Sequence, residues 1–232
     1  MAARGKKYRS AVEKIGQRDP LVMAEALKKI RQTAYAKFDE TIRVDVNLGI
    51  DGSKTDQSVR GAVSFPHGLG KKVRIIVFAK GNHAEEAQAV GADVVGAEDL
   101  IDKIEKGWLD FEYAVATPDM MGAVGKLAKI LGPRGLLPNK KVGTVTFEVG
   151  TVIKELKQGK TFFKNDRTGL VHVPIGKLSF ADNQLCENYD AFMKALAATR
   201  PAAAKGRFLK RATISSTMGP GVAVVIEDAF KI

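Results

Sequence analysis

At 232 residues, 45% hydrophobic and 27% charged, the chain has the composition of a folded protein able to bury one large core or two modest ones. A formal net charge of +11 favours a polyanionic partner, and the single cysteine, Cys186, excludes an internal disulfide and a thiolate metal cluster. No apolar run approaches the roughly eighteen residues of a membrane span and none follows the basic start, so a cytoplasmic protein with no membrane partner is expected.

The opening segment reads as helix, with Tyr8, Val12 and Ile15 at i, i+4 and i+7 among Arg4, Lys6, Lys7, Arg9, Lys14 and Arg18. Asp19-Pro20 is a start signal for a second helix, in which Met23, Ala26, Leu27, Ile30 and Ala34 keep the period to about Ala36. After Lys37-Phe38-Asp39-Glu40-Thr41 comes a strand where Ile42, Val44, Val46, Leu48 and Ile50 alternate with Arg43, Asp45 and Asn47. Phe38 falls outside both apolar periods: it is either a local plug against the sheet or an aromatic offered to a partner. Asp51-Gly52-Ser53-Lys54 turns the chain, residues 59–65 return as a strand, and Pro66-His67-Gly68-Leu69-Gly70 breaks it.

From Val73 the pattern changes. Residues 73–79 form a near-continuous apolar strand of the kind buried on both faces, followed by helix over 83–90, strand over 92–95, helix over 98–106, strand over 113–117 and helix from Pro118 to about Leu131. Such alternation predicts a parallel sheet wrapped by helices, a Rossmann-like layer arrangement. A dinucleotide site needs Gly-x-Gly-x-x-Gly straight after the first strand, but Ala79-Lys80-Gly81-Asn82-His83 stands there. With no phosphate loop, nucleophile elbow, His-x-x-x-His pair or acidic metal loop, the chain is read as no enzyme, with no cofactor and no metal. The stretch from Gly132 to Lys141 is a basic, rigid loop, either a contact surface or an ordered structural loop.

A helix over 149–158 ends at Gly159. Residues 161–163 and 170–173 are expected to form a hairpin across Asn165-Asp166-Arg167-Thr168-Gly169. His172 lies opposite Val171 and Val173, where a ligand contact and a solvated strand histidine are both open. Asp182 and Asn183 can cap a helix carrying Leu185, Tyr189, Phe192, Met193 and Leu196 along one side. If residues 207–217 are extended, Phe208, Ala212 and Ile214 point one way while Arg207, Arg211, Thr213, Ser215 and Thr217 point the other. The second face is cationic and rich in hydroxyls, a combination suited to a structured polynucleotide, and Gly219-Pro220-Gly221 stops the strand. Residues 222–226 pair beside it.

Charge marks the organisation. Residues 1–68 hold 13 Lys+Arg against 8 Asp+Glu, residues 69–158 hold 13 against 12, and residues 159–232 hold 11 against 6. Two basic flanks around a nearly neutral centre follow when the chain ends fold together and the middle is an insertion. On that condition the fold is α/β and α+β in two domains, a discontinuous α+β domain from residues 1–68 and 159–232 and an inserted Rossmann-like α/β domain with a parallel sheet from residues 69–158. The crossings near Pro66, Gly68, Gly70 and Gly159 are candidate hinges.

The runs Lys37-Phe38-Asp39-Glu40-Thr41, Val59-Arg60-Gly61, Pro66-His67-Gly68-Leu69-Gly70-Lys71, Ala116-Thr117-Pro118-Asp119-Met120-Met121-Gly122, Ile130-Leu131-Gly132-Pro133-Arg134-Gly135-Leu136-Leu137-Pro138-Asn139, Asn165-Asp166-Arg167-Thr168-Gly169 and Thr217-Met218-Gly219-Pro220 resemble the signature stretches of the ribosomal protein L-one family, bacterial type. They occur in order through nearly the whole chain. The resemblance implies a ribosomal protein, monomeric when free, whose discontinuous α+β domain, residues 1–68 and 159–232, is the RNA-binding domain, and which binds 23S rRNA within the 50S subunit and forms the mobile stalk near the E site. It implies further that the protein assists release of deacylated E-site tRNA and represses translation of its own operon by binding the operon's mRNA. By the same resemblance the RNA surface comprises Lys37, Phe38, Thr41, Asp166, Arg167, Thr168, Gly169, His172, Ser215, Thr217, Met218 and Gly219. Arg167 stands where lysine is also common, which keeps charge while changing hydrogen-bond geometry. The competing classes are a nucleotide-using enzyme, which needs the missing phosphate loop, and a protein adaptor, which needs an apolar exposed patch.

Overall fold

The structure, a computed structural model, describes residues 5–16 and 19–226, so Arg4 and Arg18 of the expected cationic helix lie outside the described residues. The chain divides into two compact units, one made of residues before Lys71 together with those after Lys160, the other Lys71–Lys160.

The first unit is organised by an antiparallel sheet of order β7-β1-β8-β9, where β1 is Thr41–Leu48, β7 Leu170–Lys177, β8 Leu209–Ser216 and β9 Val222–Val224. The strict alternation of β1 buries Ile42, Val44, Val46 and Leu48 on one face and leaves Arg43 and Asn47 exposed on the other. Against the buried face lie α2 (Met23–Thr33) and α8 (Asp182–Ala198), which contribute Leu27, Ile30, Leu185, Phe192 and Leu196 to one continuous core. Helix α1 (Lys6–Ile15) buries Ala11 and Ile15 and packs on α2.

Several local expectations are corrected. Asp19-Pro20 does not open α2. Leu21 instead pairs in parallel with Val224 of β9, and that bridge holds the chain extended until Met23. Residues 161–163 and 170–173 are not a regular hairpin: β6 (Lys160–Lys164) pairs with β2 (Arg60–Ser64) in a separate two-stranded sheet, while β7 pairs with β1, leaving one bridge between Asn165 and Val171. Gly61 makes this pairing possible, because a Cβ there would meet the Phe163 ring at 2.6 Å, and Phe163 is itself buried edge-on against Phe192. Asp182 is the first residue of α8 rather than its cap, and the Gln184 side chain accepts the Ala181 N–H at 3.1 Å in that role. In β8 the register slips where Asn47 faces Arg211 and Leu48 faces Leu209, so Leu209 joins Phe208 in the core while Lys210 is exposed.

The second unit carries a parallel sheet of order β4-β3-β5, from β3 (Ile75–Phe78), β4 (Val94–Gly96) and β5 (Tyr113–Ala116), extended by a parallel bridge between Ala116 and Val145. All four residues of β3 are buried, as a strand covered on both faces requires. Ile76 and Phe78 share a core with Leu100, Ile101 and Ile104 of α4 (Glu98–Glu105). Alternation leaves Ile75 and Val77 to the other face, where α3 (Asn82–Ala89) packs on α7 (Val149–Gln158). The single helix expected from Pro118 is broken into 3₁₀ turns at Pro118–Met120 and Gly125–Leu127, with α5 (Met121–Val124) and α6 (Ala128–Arg134) between and after them. Thus α6 absorbs the first residues of the expected basic loop, Pro133 included, and stops at Gly135, whose φ of 72° suits a residue without a side chain.

Candidate nucleic-acid interface

The outward face of the large sheet collects residues from three strands far apart in sequence. Across β1, Asp45 stands between His172 of β7 and Thr213 of β8, Arg43 between Pro174 and Ser215, and Thr41 opposite Lys177. Seven residue steps along β1 make this surface about 20 Å long. Its rows mix hydroxyls with the exposed cations Arg43 and Arg211, the latter opposite Asn47. A guanidinium meets phosphate well and a threonine or serine hydroxyl meets ribose or a base edge, so the surface has the chemistry of a polynucleotide interface.

One end of this face is built from two loops. Residues 34–40 leave α2, while residues 217–221 follow β8. The backbone ladder between β1 and β8 ends at Ile42 and Ser216, and the Thr217 hydroxyl continues it by one residue, accepting the Thr41 N–H at 3.0 Å and donating to the Thr41 carbonyl at 3.3 Å. Lys177 Nζ donates to the Thr41 hydroxyl at 2.8 Å, and Tyr35 Oη donates to the Met218 carbonyl at 2.8 Å. Gly219 N–H donates to the buried Ser216 hydroxyl at 3.2 Å. A Cβ at Gly219 would stand 2.4 Å from that oxygen, so glycine is required there for close approach. Asp39 caps the neighbouring loop by accepting from Ser179 N–H at 3.1 Å and from its hydroxyl at 2.8 Å.

Held in this frame, Phe38 is 56% exposed and Met218 47% exposed. Phe38 is therefore no plug; its ring faces outward beside exposed Lys37.

The other end is the turn 165–169. One Asp166 carboxylate oxygen accepts the backbone N–H of Thr168 at 2.9 Å and of Leu170 at 2.8 Å, and the Thr168 hydroxyl donates to the same carboxylate. The Leu170 N–H, then the Thr168 hydroxyl, hold the Asp166 carboxyl below its ordinary range. Gly169, at φ 78°, accepts the Leu48 N–H at 2.9 Å through its carbonyl and so ties the turn to β1. His172 Nδ1 lies 2.6 Å from Asp45 Oδ1, and Nε2 lies 4.0 Å from Asp166 Oδ2. Arg167 is exposed at the tip.

The structure thus gathers Lys37, Phe38, Thr41, Ser215, Thr217, Met218 and Gly219 at one end of the face, and Asp166, Arg167, Thr168, Gly169 and His172 toward the other. Sequence reading missed Tyr35, Glu40, Asp45, Arg43, Lys177 and Ser216. Alternation had put Arg43 and Asp45 on the polar face of β1 without marking them as site residues, while the partners of Tyr35 and Glu40 lie 183 and 178 residues away, where no local pattern announces them. The stretch 66–70 is held within the first unit by Asn188, which accepts the His67 N–H at 3.3 Å and donates to the carbonyls of Gly68 at 3.0 Å and Ile175 at 2.8 Å. Gly68, Gly70 and Gly159 all have positive φ. Cys186 is half-buried, and burial, then Asp190 and its acidic neighbours, push its thiol up, away from the reactive thiolate.

Among the described residues no group of His, Cys, Asp and Glu is placed to hold a metal ion, and no helix is long and apolar enough to cross a membrane. A family model described as the ribosomal protein L1p/L10e family matches residues 28–220, a span that contains both ends of the outward face, and the chain belongs to that family.

Proposed function

We propose that this ribosomal protein meets 23S rRNA of the 50S subunit directly through the outward face of its large sheet. Membership of the family makes the chain a structural, rRNA-binding component of the large ribosomal subunit, in a family that is not one of enzymes. The finer reading is that the complex forms the mobile stalk near the E site and assists release of deacylated tRNA. The same face would bind the operon's own mRNA and repress its translation.

The observation that carries this reading is the exposure of Phe38 and Met218 in a rigid frame of spent hydrogen bonds, flanked by Lys37 and the Arg43 row. Bases stack on such side chains, while the cations hold the backbone. In this reading the discontinuous unit is the RNA-binding domain and the inserted unit its mobile attachment, the protein being a monomer when free. Because Asn188 fixes residues 67 and 68, movement falls to Gly70 and the residues after it, and to Gly159 on the return. A subordinate RNA contact fits residues 132–141, which hold Arg134, Lys140 and Lys141 and no acid. Of these, Arg134 and Lys140 are exposed.

Crosslinking the full chain to total cellular RNA, followed by sequencing, tests the proposal. One folded region of 23S rRNA and a segment of the protein's own mRNA of similar shape are expected to dominate. Reads spread evenly over abundant RNAs would overturn it.

A further inference from the structure

We propose that Glu40 is the positioning residue of the RNA surface: its carboxylate sets the spacing between the Phe38 loop and the 217–219 loop, and hence the RNA shape that is accepted. This rests on the reading that those loops meet RNA.

Glu40 is 1% exposed and forms no ion pair among the described residues. One carboxylate oxygen accepts the Ala36 N–H at 3.2 Å and the other accepts the Met218 N–H at 3.1 Å, joining loops 178 residues apart in sequence. The Ser216 hydroxyl and the Tyr35 backbone N–H also favour the charged form of this carboxyl. Burial alone would push the carboxyl up, but the neighbouring donor groups outweigh burial and hold it below its ordinary range. The charge is thus stabilised by backbone and hydroxyl dipoles.

The groups joined in this way are not needed for the core. Strands β1 and β8 are already held by their ladder and by buried Ile42 and Ile214. What Glu40 fixes lies outside that core. With the Met218 N–H spent on Glu40 and its carbonyl spent on Tyr35, the Met218 backbone is fixed while its side chain stays exposed, as that of Phe38 is. A carboxylate is the group this position requires, because each of its two oxygens accepts from a backbone N–H. An amide would set its own N–H₂ against one of them.

Glu40→Gln in the full chain separates positioning from folding. The probes are transcribed 23S rRNA and a generic RNA duplex, each titrated over a salt series, with urea unfolding alongside. Expected is a loss of about tenfold or more in affinity for 23S rRNA, with duplex binding, salt slope and fold retained. Tyr35→Phe, which removes only the exposed Tyr35 bond to Met218, is expected to shift 23S rRNA affinity in the same direction by about threefold. Unchanged 23S rRNA affinity in Glu40→Gln, or equal loss on both RNAs, would overturn the inference; if Glu40→Gln fails to fold, unchanged affinity in Tyr35→Phe would do so. Should the wild-type protein itself fail to prefer 23S rRNA over duplex, it is the proposed function that fails.

Discussion

Replacing Thr217 by valine keeps the shape of the side chain and deletes the oxygen that both accepts the Thr41 N–H at 3.0 Å and donates to the Thr41 carbonyl at 3.3 Å. In the free protein this corner is exposed and water can take over both partners, so stability is expected to fall by only about 0.5–1 kcal/mol. Beneath a bound RNA, water is excluded and the Thr41 N–H is left unsatisfied, a cost of about 1–3 kcal/mol, or about 5- to 150-fold in Kd. Filter binding or calorimetric titration against 23S rRNA, paired with urea unfolding, reads both quantities. An affinity within twofold of wild type would refute the placement of this bond beneath RNA. A loss of stability as large as the loss of affinity would make the hydroxyl an element of the fold instead.

Phe38→Ala removes an exposed ring and is expected to leave the urea midpoint unchanged while costing about 1–3 kcal/mol of RNA affinity; a destabilised variant with normal binding would contradict the stacking role. Asn188→Ala deletes three hydrogen bonds at a fully buried site and is expected to cost about 3 kcal/mol in urea unfolding, with less than 1 kcal/mol arguing that water replaces them. Asp166 has a folded pKa below the ordinary 3.8, so its contribution to stability is present above that value and lost as pH falls through the folded one. The stability gap between wild type and Asp166→Asn is therefore expected to be constant near neutrality and to close in acid. Urea midpoints over pH 3–7 read it, and a gap that widens in acid would contradict the assignment.

The two periodicities of the chain were legible because burial writes them directly: alternation in β1, and continuous apolar residues in β3, covered on both faces. Pairing was less legible. The turn residues from Asn165 to Gly169 imply a hairpin locally, yet β6 finds its partner in β2 about a hundred residues away, where Gly61 leaves room for Phe163. The register slip at Leu48 also escaped sequence reading, because nothing in the alternation of 207–217 marks which residue is doubled. For the candidate interface, the residues named by motif resemblance are exposed or half-buried except Gly169, which is buried, and the exposure of Phe38 removes the plug reading. The frame behind them, Glu40 above all, went unread, since a carboxylate between Asp39 and Thr41 gives no sign that it will be buried against a backbone donor from the far end of the chain.

Mapping the crosslinked peptides of the full chain bound to 23S rRNA locates the RNA surface. Attachment is expected at residues 37–41, 166–172 and 215–219, with at most a minor share from 132–141. Crosslinks confined to residues 71–160 would show that RNA is held by the inserted unit and not by the outward face of the large sheet.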